Sequence, residues 1–227
     1  MHELKINNQT PHIAKHVLGD CASSEVYLMD CIEGMKYYPD KHFDLAVVDP
    51  PYGIGHSLLS GAKRGSKFNR NDHNVDWDIK PSAEYFLELF RVSKEQIIFG
   101  ANYYLENLPS TKCFLMWDKV QIFSGSDFEL AWTSFDKPSK AFRMSRVEAY
   151  TNGTIHPTQK PTQLYNWIFH NYATEGMKIL DTHLGSQSSR ISANKAKLHF
   201  VGFETNKQHF ENGNKRYDDF VSQVRLF

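Results

Sequence analysis

Short apolar runs alternate with amphipathic stretches along most of the chain, and this alternation predicts a parallel sheet covered by helices. Phe43–Val48 (FDLAVV) is the clearest run, apolar at nearly every position, as a strand buried on both faces must be. Residues 25–30 (EVYLMD) read as an earlier strand, followed by a helix through Ile32, Met35 and Tyr38, so the three segments make a β-α-β unit. Residues 82–92 (SAEYFLELFRV) are apolar at helical spacing, with Ser82 placed to cap them. Strands are predicted at 96–99, 113–117 and 128–134; the last, FELAWTS, alternates poorly and reads as core. A helix over Thr162–Tyr172, a strand over 177–181, a helix over 189–197 and a strand over 199–203 continue the pattern. Residues 206–224 close it as a helix with Phe210, Tyr217 and Val221 inward. The fold class is therefore α/β: one doubly wound, mainly parallel sheet.

The pattern fails in three places. Residues 1–24 are polar and predict no element; His12 and His16 stand four apart there, but no third ligand accompanies them and no metal site is assigned. Residues 54–81 form a long irregular stretch holding Lys63, Arg64, Lys67 and Arg70, the composition of a loop that grips phosphate beside a site. Residues 136–155 are polar, with Arg143 and Arg146 among them.

Composition narrows the class. With 227 residues the chain suits a single domain over 1–227, and 41% hydrophobic with 14% aromatic residues marks it as globular. Lys plus Arg and Asp plus Glu both number 26, so any affinity for nucleic acid must come from a local patch. Cys21, Cys31 and Cys113 are odd in number and lack CxxC spacing, which predicts reduced thiols and a cytoplasmic setting. No run approaches membrane-spanning length, and no membrane role is expected.

Two segments carry chemistry. Asp49-Pro50-Pro51-Tyr52-Gly53 ends the central strand, and the two prolines stop it and stiffen the turn. Ligands bind at the carboxyl edge of open α/β sheets. The Asp49 carboxylate and the Pro50 carbonyl can accept the two hydrogens of an amine conjugated to a ring, localising its lone pair, while Tyr52 stacks on the ring. The second segment is strand, glycine turn and helix at Asp181-Thr182-His183-Leu184-Gly185-Ser186-Gln187-Ser188, which aims backbone N–H groups at a ligand. Glu204 ends the next strand about twenty residues past Gly185, the place of an acid that binds ribose hydroxyls. The turn is not G-x-G-x-x-G, so a nucleoside with a small tail fits better than a dinucleotide.

Asp-Pro-Pro-Tyr resembles the catalytic motif of the amino-methyltransferases that use S-adenosylmethionine to methylate exocyclic amines of DNA bases. Asp in first place looks more like the adenine-N6 than the cytosine-N4 enzymes. His156-Pro-Thr-Gln-Lys-Pro161 is similar to the motif that precedes the cofactor loop in the β-type order of that family, and Phe99-Gly-Ala-Asn102-Tyr103 to a segment beside the catalytic strand. The resemblance, covering residues 25–217, implies a Rossmann-like methyltransferase fold with permuted motif order. It implies catalytic roles for Asp49, Pro50, Pro51 and Tyr52. It implies cofactor contacts at Asp30, Cys31, Thr158, Lys160, Asp181, Gly185, Ser186, Ser188 and Glu204. DNA contacts are expected at Lys63, Arg64, Lys67, Arg70, Arg143 and Arg146, with 136–155 as a short recognition region. The expected substrate is double-stranded DNA with a flipped adenine, and the small basic footprint favours a homodimer. Cytosine-N4 or RNA amino-methylation, and a catalytically impaired DNA-binding relative, are the alternatives. The last arises because the family usually reads Asp-Pro-Phe-x-Gly-Ser-Gly where this chain has Gln187 in place of the final Gly.

Overall fold

The computed structural model describes residues 13–18, 22–54, 78–120, 126–151, 154–156 and 158–224. Its strands, in chain order, are β1 (Ile13–Leu18), β2 (Ala22–Leu28), β3 (Phe43–Val48), β4 (Ser93–Phe99), β5 (Phe114–Asp118), β6 (Phe128–Thr133), β7 (Lys140–Arg143), β8 (Lys178–Asp181) and β9 (His199–Glu204). The helices are α1 (Cys31–Met35), α2 (Ala83–Val92), α3 (Arg146–Ala149), α4 (Thr162–Tyr172), α5 (Ser188–Lys195) and α6 (Lys207–Val224).

All nine strands join one sheet in the order β1-β2-β9-β8-β3-β4-β6-β5-β7. The middle, from β2 to β4, is parallel throughout, and the predicted mainly parallel, doubly wound sheet is borne out. β1, β6 and their partners supply the antiparallel pairs at either side. Alternate residues of β3 feed the two faces: Leu45 and Val47 pack with α4, and Ala46 and Val48 with α1 and α2. Both faces are thus covered, which is why β3 reads as continuously apolar rather than alternating.

Parallel pairing of β3 with β8, with Ala46 opposite Leu180, brings the carboxyl ends of the two strands side by side. Asp49 and the glycine turn, far apart in sequence, therefore share one edge of the sheet.

Three expectations need correction. Residues 13–18 are a strand despite their weak pattern, because an edge strand paired only with β2 gains its order from the hairpin register rather than from burial on two faces. β2 begins at Ala22 and ends at Leu28, so Asp30 lies beyond the strand as the cap of α1. The polar segment 136–155 contains β7, added to the sheet through β5, and α3. No helix among the described residues is long and apolar enough to cross a membrane.

Candidate functional site

The corner at Asp49 is held from three directions. The Tyr104 hydroxyl donates to the Pro50 carbonyl at 2.8 Å and is 2.6 Å from that of Pro51. The Gly53 amide donates to Asp78 at 3.0 Å, closing the far side of the turn. The Tyr52 ring stacks on Tyr103 with centroids 4.9 Å apart and 16° between planes. Gly100 makes room for it: with φ at +74°, an added Cβ would stand 2.3 Å from the Tyr52 ring. Only glycine satisfies both the left-handed backbone and this approach.

Asp49 itself is fully engaged. Tyr52 donates its hydroxyl to Oδ1 at 2.7 Å, and the Lys160 ammonium is against Oδ2. The same ammonium lies 3.1 Å from Glu129 Oε2 on β6, and Lys119 lies 2.9 Å from the other Glu129 oxygen. Burial pushes the Asp49 carboxyl above its ordinary value even with the ammonium beside it. Burial would raise Glu129 as well, but Lys160 and Lys119 overcome it and bring that carboxyl down to about 2. Burial opposes the charge on Lys160, and Asp49 and Glu129 together outweigh it and raise its pKa. Two cations and two carboxylates alternate, so the cluster is neutral and self-paired.

Two cavities adjoin at this cluster, with Tyr52, Thr158 and Lys160 lining both. The first runs from Asp49 along the ends of β8 and β9, past His156, Gly185, Ser186, Ser188 and Glu204. Glu204 accepts the Gly185 amide on Oε2 and the Asn206 amide on Oε1, each at 2.9 Å, which leaves a lone pair on each oxygen for further donors. Histidines 156 and 183 are kept neutral by burial, at about 3 and about 4, so the wall is aromatic rather than cationic. The second cavity, of about 300 Å³, is bounded by Tyr52, Asn102, Tyr103, Glu129, Arg146 and Tyr150.

Gln187 does not intrude. Its backbone is left-handed at φ +57°, and its side chain turns into the protein, where Oε1 accepts from Arg190 at 2.8 Å and Nε2 donates to Asn214 at 3.1 Å. The space it takes is left by Gly213, whose missing Cβ would stand 2.7 Å from Gln187. The Gln187 side chain therefore packs against α5 and α6 rather than into the turn.

Of the residues expected at a cofactor, Thr158, Lys160, Gly185, Ser186, Ser188 and Glu204 line the first cavity. Asp30, Cys31 and Asp181 do not. Asp30 accepts the Ile32 and Glu33 amides as the cap of α1, and Cys31 is buried beneath it, its thiol pushed up to about 12 by burial. Asp181 is 2% exposed, accepts from Ser189 and the His183 amide, and has a carboxyl pushed up to about 7 by burial. Asp49, Pro50 and Pro51 line the first cavity, and Tyr52 lines both. Arg146 borders the second cavity, while Arg143 pairs with Asp118 at 2.9 Å. Lys63, Arg64, Lys67 and Arg70 lie outside the described residues, as does His12. Sequence reasoning missed Glu129, Lys119 and Tyr104. The available signal for Glu129 was a carboxylate inside an otherwise apolar run, FELAW.

Residues 124–215 match the family model described as DNA methylase, a span holding Glu129, Lys160 and Gly185 but not Asp49. The type II methyltransferase M2.MboI of Moraxella bovis is 21% identical, covering 91% of this chain and 92% of its own length. The solved M1.HpyAVI-SAM complex is similar with TM-score 0.57 and 19% identity, over 84% of this chain and 98% of that one. The cytosine-N4-specific PvuII DNA methyltransferase gives 0.58 and 12%, over 90% of this chain and 93% of that one. The solved structures share the fold.

Proposed function

We propose that the chain is a DNA amino-methyltransferase that transfers a methyl group from S-adenosylmethionine to the N6 amine of adenine in DNA, a reading supported by the family model and the relatives it resembles. The observation that carries this reading is the Asp49 carboxylate in the cavity bounded by the glycine turn, held by Tyr52 and Lys160, which also line the adjoining cavity of aromatic rings. The first cavity suits the cofactor. Glu204 keeps two lone pairs for a ribose diol, the His156 and His183 rings supply flat neutral walls, and Gln187 leaves the turn open. When bound, the cofactor supplies an electrophilic methyl group on a sulfonium.

The chain's own residues prepare the nucleophile. Asp49 accepts one amine hydrogen and the Pro50 carbonyl the other, which withdraws the nitrogen lone pair from the ring and aims it across the junction. Tyr52, itself backed by Tyr103, presents a ring face to the flat base. Holding donor and acceptor in near-attack geometry supplies much of the rate.

The target is an adenine turned out of double-stranded DNA, at a cost of roughly a few kcal/mol. With a net charge of zero, the phosphate contacts must be concentrated, and Arg146 with the basic stretch at 63–70 is the proposed source. A homodimer doubles that footprint. Cytosine N4 is the second reading, because its exocyclic amine offers the same two hydrogens to the same corner. The test supplies cofactor labelled on the methyl group together with duplex DNA, single-stranded DNA or RNA. Label is expected in duplex DNA; label confined to RNA overturns the assignment of substrate.

A further inference from the structure

The Lys160 ammonium occupies the Asp49 oxygen that an incoming amine needs. A neutral amine cannot displace an ammonium from a buried carboxylate unless the ammonium has somewhere else to go. It has one place. Glu129 Oε2 lies 3.1 Å from the same nitrogen, is buried, and accepts no hydrogen bond. We propose that Lys160 holds the amine seat on Asp49 until the target base enters, and that Glu129 is the positioning residue that takes the ammonium over, freeing Asp49 to accept the amine. This rests on the methyltransferase reading above.

The geometry makes the exchange short and electrically silent. Lys160 stands between the two carboxylates, so a shift toward Glu129 moves no charge out of the cluster and exposes none to solvent. Lys119 anchors the other Glu129 oxygen at 2.9 Å and fixes the receiving carboxylate in place. Glu129 also borders the second cavity, where the base would arrive, so occupancy of that cavity and withdrawal of Lys160 act on one wall. While the seat is filled, Asp49 remains ionised in a buried site that otherwise favours its protonation.

The other groups facing Asp49 are Tyr52 on its own turn, Tyr165 on α4, Tyr104 before β5, Tyr150 after α3 and Asp181 on β8. The phenols are all pushed upward by burial and stay neutral. Asp181 titrates near 7 but bonds Ser189 and the His183 amide rather than Lys160, so a change at Lys160 leaves its titration in place.

The experiment measures kcat, KM for DNA and cofactor affinity by calorimetry for the unaltered chain, E129Q, K160M and the double variant. In E129Q no second carboxylate receives the ammonium, and kcat is expected to fall at least about tenfold with cofactor affinity kept. In K160M the acid limb of the kcat profile moves to higher pH, because Asp49 loses its cation. Adding E129Q to K160M removes a repelling carboxylate, so kcat at neutral pH falls no further. Retained kcat in E129Q, an unmoved acid limb in K160M, or an equal loss from E129Q in both backgrounds overturns the role of Glu129. Absence of methyl transfer by the unaltered chain overturns the functional reading itself, and does so before any variant is compared.

Discussion

Both oxygens of Asp49 are committed, one to the Tyr52 hydroxyl and the other to the Lys160 ammonium, so its chemistry depends on what it exchanges for them. Replacing Asp49 by Ala is expected to reduce methyl transfer by about a thousandfold or more, the scale of removing one preorganised charged partner, with cofactor affinity by calorimetry within a few-fold of the unaltered chain. Near-normal turnover in that variant removes Asp49 from the reaction. The Asp49–Tyr52 corner was legible in the sequence because four adjacent residues carry it, and prolines announce a stiff turn. Glu129 was not, because it reaches the corner only through the β4-β6-β5 pairing order, which no local pattern specifies. The direction of Gln187 was hidden for the same reason. Its pocket is made by Gly213 on a helix that follows two elements later.

At the scale of elements, two helix ends give sharp expectations. Asp30 takes two amides of α1, and its loss to Ala should lower stability by about 1 kcal/mol in urea unfolding, leaving cofactor affinity unchanged. A large loss of cofactor affinity instead returns Asp30 to the site. Gly213→Ala on α6 places a methyl against the Gln187 side chain, which is itself tied to Arg190 and Asn214 and cannot swing away. The expected loss is about 1–3 kcal/mol, the usual result of overpacking, and Q187G should make the same alanine better tolerated. Strict additivity of the two changes contradicts the packing described. Helices and central strands were readable from apolar periodicity, since burial on one stripe or on both faces leaves a clear imprint. β1 and β7 were not, because strands beside a sheet edge can be polar and owe their order to a partner chosen elsewhere in the chain.

At the scale of the whole molecule, burial of titratable groups sets the response to pH. His156 and His183 have folded pKa values below the unfolded 6.5, so the unfolded chain gains protons first and stability is lost as pH falls below 6.5. Asp181 acts oppositely. Its folded pKa of about 7 exceeds the unfolded 3.8, so between those values the folded chain holds the extra proton and stability falls as pH rises. Removing that opposition in D181N should steepen the loss of stability between pH 6.5 and 5 by about 1.4 kcal/mol per pH unit, read from denaturant midpoints. An unchanged slope contradicts a neutral buried Asp181. The fold class was legible because alternating strand and helix patterns admit few parallel arrangements, whereas the meeting of Asp49 and the glycine turn in one cavity emerges only from the β3-β8 pairing. Adenine-N6 methylation is read most plainly by nucleoside mass spectrometry. Duplex DNA treated with the intact chain and cofactor, then digested, should yield N6-methyladenine; N4-methylcytosine in its place, or no methylated nucleoside, would contradict transfer to adenine N6.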